Sequence, residues 1–101
     1  MKQPPSKIKV MGFDVDVIQM DNLEGLAHGI YGHFSSVELC LRIIKGIKKD
    51  QSYNTLKHEL KHAMWFAGGL TDDDDEERIV TILTNVECCV DRDNPELLKY
   101  Y

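Results

Sequence analysis

The chain has few of the features that mark secreted, membrane-spanning or nucleic-acid-binding proteins. Its three cysteines are an odd number and two of them, Cys88 and Cys89, are adjacent, which is unlike a disulfide framework and suits a reducing cytosol. No apolar run is long enough to span a membrane. The amino-terminal segment MKQPPSKIKV lacks the apolar core of a signal peptide, so we expect a cytoplasmic protein.

Basic residues are also in the minority. Lysine and arginine total 12 against 17 aspartates and glutamates, so the formal net charge is −5. This balance argues against a general nucleic-acid-binding protein, because no surplus of positive charge is present to neutralise phosphates. The 43% of hydrophobic and 29% of charged residues are typical of a globular protein. We expect one domain over residues 1–101 with a modest core and a flexible segment 1–6.

Alternating apolar and polar residues predict two strand segments. The first lies in residues 7–19, where the alternation is clearest over 13–17. The second, residues 34–44, alternates throughout and is the strongest strand prediction in the chain. Its apolar face would carry Val37, Leu39, Leu41 and Ile43. Between the two segments, residues 20–32 contain three glycines and predict a loop.

Two helices are predicted in the second half of the chain. The first runs from about residue 52 to 67, and the pair Gly68-Gly69 ends it. The second begins near residues 72–75 and runs to about residue 90, before an Asp-Asn-Pro sequence. Four aspartates and two glutamates at its start suit the positive end of the helix dipole. We interpret them as a solvated cap rather than a calcium site, because they lack the spacing of a calcium loop.

The first helix carries the segment TLKHELKHAMWFAGG, residues 55–69, in which two histidines stand four apart. At about 100° per residue, His62 lies near 40° from His58 and Trp65 near 340°, while the leucines cluster on the opposite side. The leucine side would pack on the core. Because Trp65 shares the histidine face, we expect that face to be partly covered as well. Buried imidazoles need partners for their ring nitrogens, and a metal would serve both.

Histidines at this spacing can each direct one nitrogen at a single zinc ion. Glu59 points to the side, where it is poorly placed as a ligand. It can instead take a proton from a zinc-bound water and pass it to a leaving amine. A chain of this composition contains His-Glu-x-x-His by chance about once in 100. That frequency disfavours the alternative of a solvated helix with incidental histidines. Two imidazoles and a carboxylate favour zinc but accept other divalent ions.

A catalytic zinc needs a third protein ligand, and the acidic start of the second helix can supply one. Two antiparallel helices joined by a short loop would bring Glu76 or Glu77 to the height of His62, if the second helix begins at Asp72. The angular position around the second helix favours Glu76 as the ligand, because Glu76 shares a face with larger apolar residues. Glu77 aligns instead with a narrower stripe of smaller residues, of the kind that lets helices approach closely. The residues alone leave both glutamates open.

The run TLKHELKHA, followed by Gly-Leu at 69–70, resembles the small zinc metallopeptidases of phages and prophages. These are distant, gluzincin-like relatives of the ImmA/IrrE group of zincins. The similar positions that follow are Glu77, Val80, Leu83, Thr84, Asp93, Asn94 and Pro95. Thr84 departs from the pattern if alanine is usual there, and the likeness spans about residues 34–97. It implies Glu77 as the third ligand beside His58 and His62, with Glu76 as the alternative, and Glu59 as the general base.

The resemblance also implies a strand, just before the motif helix, that lies antiparallel to a bound peptide. Residues 37–44 match this position, and an exposed edge strand can bind an extended peptide by β-augmentation. The predicted substrate contacts are Val37, Leu39, Leu41, Tyr31 and His33. His28 or His33 could donate to the oxyanion of a tetrahedral intermediate, unless both are exposed turn residues.

These predictions describe a minimal α+β zincin-like domain. A small antiparallel sheet packs on the motif helix, and a second helix supplies the third metal ligand. The expected function is zinc-dependent hydrolysis of a peptide bond in a protein or peptide substrate, in the cytoplasm of a bacterium that carries the phage gene. One alternative is a non-catalytic, zinc-stabilised module that binds a regulatory partner, and another is a metal-free helical interaction protein. Neither a nucleic acid nor a membrane is an expected partner.

Overall fold

A computed structural model describes residues 4–21 and 31–100. Its elements in chain order are β1 (Lys7–Val10), β2 (Phe13–Met20), β3 (Gly32–Ser35), β4 (Cys40–Ile44), α1 (Lys49–Ala67), α2 (Glu76–Asp93) and α3 (Glu96–Tyr100). The strands form one sheet in the order β1-β2-β4-β3. α1 packs against β3 and β4, while α2 contacts α1 and β1. The prediction of a small α+β domain is therefore confirmed.

The segment predicted as one strand over residues 7–19 is a hairpin of two strands. β1 and β2 pair antiparallel, with Lys7 opposite Asp16. The turn between them has positive φ angles at Met11 (51°) and Gly12 (89°). Two consecutive left-handed residues suit the twist of a tight hairpin, and glycine adopts this backbone without strain. The expected flexible segment 1–6 is described from residue 4 onward, and its Ser6 carbonyl accepts a hydrogen bond from the Val17 N–H (2.9 Å).

The strongest strand prediction, residues 34–44, is wrong over its middle. β3 ends at Ser35, residues 36–39 form a turn, and β4 then pairs antiparallel with β3. The Ser35 hydroxyl accepts a hydrogen bond from the Glu38 N–H (3.2 Å), and Leu39 has a φ of 52°. Val37, assigned to an apolar strand face, is 93% exposed. The alternation misled because the apolar residues of the turn continue the two-residue period of the strands on either side.

The prediction of an antiparallel sheet is wrong for its central pair. β2 and β4 run parallel, with Val17 opposite Leu41. β4 is consequently an interior strand, paired with β2 on one side and β3 on the other, and β1 and β3 are the edges among the described strands. This order decides which strand a peptide could join, because an edge strand presents backbone groups that no neighbouring strand pairs.

The core lies between the sheet and the two long helices. The leucine side of α1 is buried, as predicted, and α2 adds two valines to the same cluster. Its main members are Ile8, Val10, Val15, Leu41, Ile43, Leu56, Leu60, Ala63, Met64, Val86 and Val90. No helix in the described part of the chain combines the length and apolarity needed to cross a bilayer. All three cysteines are free thiols.

The ends of the helices follow the local signals. α1 begins three residues before the predicted start, and Gly68 caps its carboxyl end, followed by Gly69 with a φ of 70°. This confirms the predicted stop. α2 begins at Glu76, and the Asp75 side chain caps it by accepting a hydrogen bond from the Arg78 N–H (2.8 Å). The helix therefore starts four residues later than Asp72, which matters for the predicted metal site.

Asn94 joins the end of α2 to the outer strand β1. Its Oδ1 accepts a hydrogen bond from the Lys9 N–H (2.9 Å), and its Nδ2 donates to the carbonyls of Lys9 (2.8 Å) and Val90 (2.9 Å). The amide thus pairs with one residue of β1 much as a neighbouring strand would. Since Asn94 is only 3% exposed, these three bonds are largely shielded from water. They cover part of one sheet edge, and within the described part of the chain β3 forms the other.

Candidate active site

Glu59 lies where α1 passes closest to the edge strand β3. It is one of the two buried polar residues among those described, with 8% of its surface exposed. Gly32 of β3 allows the close approach. A Cβ added there would lie 2.7 Å from Cγ2 of Thr55 and 2.9 Å from Cγ of Glu59. The helix and strand therefore hold the carboxylate side chain in a confined position, as expected of a group that must act on one defined atom.

The two motif histidines lie together on the neighbouring face of α1. Their ring centroids are 5.1 Å apart in an edge-to-face arrangement. Both side chains are exposed, so the expectation that the histidine face is covered is wrong for the imidazoles themselves. Trp65 is half-buried. The angular count identified the shared face correctly, but it could not show that β3 reaches Glu59 and stops short of the histidines.

Two clefts meet at Glu59, and Gly32 also lines both of them. The aromatic cleft, of about 410 Å³, is lined by His62, His33, Phe34, Ser36, Trp65, Phe66 and Leu70 in addition to the shared pair. The polar cleft, of about 290 Å³, is lined by Tyr31, Asn54, Thr55 and His58 in addition to the shared pair. One motif histidine therefore faces each cleft, with the buried carboxylate between them.

The predicted third ligand is not brought to the histidines. Among the described residues, no three His, Cys, Asp or Glu side chains lie close enough to hold one metal ion. The prediction that Glu76 or Glu77 lies level with His62 assumed a helix that begins at Asp72. α2 begins instead at Glu76, so Glu76 and Glu77 are its first two residues. Ile82 then lies beside Gly68, because a Cβ on that glycine would meet its Cγ2 at 2.7 Å. Glu77 lies about 7 Å along α2 from Ile82, beyond the end of α1 rather than beside His62.

The acidic run is a structured cap, as interpreted from the sequence. Asp75 caps α2, and the neighbouring Asp74 carboxylate accepts a hydrogen bond from the Thr71 N–H (2.7 Å) and pairs with Arg78 (2.6 Å). The Thr71 backbone bond, followed by the Arg78 guanidinium, holds the pKa of Asp74 below its ordinary value. These two aspartates therefore organise the turn into α2, and their charge is already engaged there.

The strand that lies beside Glu59 is not the one predicted to contact a substrate. Leu41 lies in the interior strand β4 with no exposed surface, and neither Val37 nor Leu39 lines either cleft. The edge strand beside Glu59 is β3. Tyr31, 59% exposed, lines the polar cleft, and His33 lines the aromatic cleft. His28 lies outside the described residues.

The cleft residues that sequence reasoning missed share no motif. They are Gly32, Phe34, Ser36, Phe66, Leu70, Asn54 and Thr55. Thr55, Phe66 and Leu70 flank the histidine motif within the chain, so their proximity could have been inferred. Gly32 and Phe34 reach the site only because β3 lies at the sheet edge above α1, and no local pattern signals that pairing.

Gly32→Ala is expected to destabilise the fold by about 1–3 kcal/mol, because the new methyl overlaps Thr55 and Glu59 at the contact between β3 and α1. Chemical denaturation would measure the change in the free energy of unfolding. Ser36→Ala, an equally small change at an exposed position just past the same strand, is the control. Equal stability of Gly32→Ala and the parent would show that β3 and α1 do not pack this closely.

Comparison of the chain with protein-family models, curated proteins and solved structures finds no match.

Proposed function

We propose that this protein is a zinc-dependent peptidase in which Glu59 is the general base. The observation that carries the proposal is the position of this buried carboxylate beneath the edge strand, where two clefts meet with one histidine facing each. A peptide added to β3 as a further strand would lie directly over the carboxylate. The sequence His-Glu-x-x-His and its likeness to phage zinc metallopeptidases agree with this arrangement.

Zinc fits the site in part. Two imidazoles on one helical face, with centroids 5.1 Å apart and open to solvent, are suitable donors. The third donor comes from the resemblance, which points to Glu77, with Glu76 as the alternative. Both glutamates are exposed in the first turn of α2, so ligation by either requires that turn to approach the histidines. Zinc, once bound, supplies Lewis-acid chemistry: it makes water more acidic and polarises the carbonyl under attack.

The chain's own groups perform the remaining steps. The Glu59 carboxylate takes a proton from the attacking water and returns it to the leaving amine, so that one residue acts as base and then as acid. β3 holds the peptide backbone extended and excludes water from one side of the bond. Tyr31 and His33 flank the buried carboxylate in opposite clefts, where either can donate a hydrogen bond to the substrate. We place the reaction in the cytoplasm of a phage-carrying bacterium, on a protein or peptide substrate.

Metal binding tests the ligand assignment. The parent is expected to bind one zinc ion per chain, and His58→Ala or His62→Ala to weaken that binding by about 100-fold or more, since each removes a direct donor. Titration calorimetry against a competing chelator would measure the affinities. His33→Ala removes a histidine of the aromatic cleft that is no proposed ligand, and it should bind zinc like the parent.

The same measurement, combined with a peptide-cleavage assay, separates the rival functions. Unchanged affinity in both motif variants would refute the proposed ligands, and no binding by the parent would favour a metal-free interaction protein. Zinc binding that depends on both histidines, without hydrolysis of any peptide, would favour the non-catalytic, zinc-stabilised module.

A further inference from the structure

The two clefts that meet at Glu59 differ in their chemistry. The aromatic cleft contains Phe34, Trp65, Phe66 and Leu70, beside polar side chains that include Ser36. The polar cleft is lined instead by Asn54, Thr55 and Tyr31, beside His58. A peptide extended along β3 passes over both clefts. Its residue over the aromatic cleft therefore meets a cluster of apolar side chains that the polar cleft does not have.

The wall of the aromatic cleft is already formed. The Phe66 ring lies 5.4 Å from that of Phe13 and 6.1 Å from that of Phe34, centroid to centroid, and both pairs are tilted. Aromatic pairs at these separations and angles attract each other beyond the burial of their area. Phe66 is thus held from two sides, yet 40% of its surface stays exposed. An arriving apolar side chain can cover that surface without first ordering the wall.

We propose that the aromatic cleft selects a large apolar residue on one side of the scissile bond. This specificity rests on the proposed peptidase function. A volume of about 410 Å³ accommodates one side chain the size of leucine or phenylalanine. Burying a side chain of that size is worth about 10–100-fold in binding, which is enough to dominate the choice among short peptides.

Cleavage of a mixed peptide library by the zinc-loaded full chain tests the selectivity. Mass spectrometry of the products should show leucine, phenylalanine or methionine at one position beside the cut bond, at about tenfold the frequency of alanine, serine or aspartate. Phe66→Ala should lower kcat/KM for the preferred peptide about tenfold, mainly through KM, and leave that of its alanine analogue within about twofold. Phe66→Leu, which keeps an apolar wall, should retain the preference.

Val80→Ala is the matched control, because it also truncates an exposed apolar side chain but lies on α2 outside both clefts. It should cleave the library like the parent. Cleavage with no apolar preference at any position would overturn the inference while leaving the peptidase function in place.

Trp65 provides a second readout that needs no turnover. It is the only tryptophan in the chain and lines the aromatic cleft, so its emission should shift, and the shift should saturate, as an apolar peptide binds to Glu59→Gln. The same peptide with aspartate at the selected position should produce no shift, and Phe66→Ala should lose the response. A saturable shift without cleavage by the parent would uphold apolar recognition and refute the peptidase. No shift with any apolar peptide would refute the recognition itself.

Discussion

Glu59→Gln is expected to remove nearly all peptide hydrolysis and leave zinc binding intact. Glutamine has nearly the same shape as glutamate, so it fits beneath β3 where the parent side chain is 8% exposed. It cannot accept a proton from water, and positioned acid–base catalysis is typically worth about 10²–10⁴-fold in rate. We therefore expect kcat/KM to fall by that factor at neutral pH. Steady-state cleavage of a fluorogenic peptide, with zinc content measured on the same samples, provides the test.

The control for this variant is Glu87→Gln, which makes the same chemical change on α2. Glu87 pairs with Lys57 at 3.9 Å across the two helices, with both side chains partly exposed, and it lines neither cleft. A pair of this kind contributes little to stability, so the control should keep the parent's stability and activity. Hydrolysis by Glu59→Gln at the parental rate would rule out Glu59 as the general base, whatever the zinc content.

Asn94→Ala is expected to cause the largest loss of stability. The substitution removes three shielded hydrogen bonds and leaves the Lys9 N–H and carbonyl without their amide partner. With about 1 kcal/mol for each bond, we expect the free energy of unfolding to fall by about 2–4 kcal/mol. For a domain of this size that corresponds to a fall in Tm of about 10–20 °C. Thermal unfolding followed by circular dichroism would measure the change.

Two comparisons show whether the amide itself is responsible. Asn94→Asp keeps an acceptor for the Lys9 N–H but places a buried carboxylate oxygen against the carbonyls of Lys9 and Val90, so at neutral pH its stability should be no higher than that of alanine. Asn85→Ala changes an exposed asparagine within α2 and should leave the stability within about 0.5 kcal/mol of the parent. A Tm of Asn94→Ala equal to that of the parent would mean that the stability of β1 does not depend on the end of α2.

The position of Asn94 also bears on where a peptide can bind. A sheet with two exposed edges could accept a strand at either one. The amide covers part of β1, whereas β3 lies beside Glu59. Among the described residues, the fold thus covers part of the edge that lies away from Glu59 and leaves the edge beside it for the proposed peptide.

The sequence by itself determined the features that depend on neighbouring residues in the chain. The spacing of His58 and His62 defines one helical face, as their 5.1 Å centroid distance confirms. Gly68 and Gly69 end α1 and the aspartates open α2, because capping is a contact between residues only a few positions apart. The α+β class follows from the same local patterns.

Only the tertiary structure decided what depends on long-range pairing. Alternation over residues 34–44 could not reveal a turn whose apolar residues keep the strand period, nor the parallel pairing that makes β4 interior and β3 the edge. The start of α2 at Glu76, set by the Asp75 cap, placed Glu77 beyond the end of α1. The burial of Glu59 depends on Gly32, 27 positions away in the sequence. These features arise from contacts between elements that are far apart in the chain. Such contacts produce no periodic pattern in the sequence of either element.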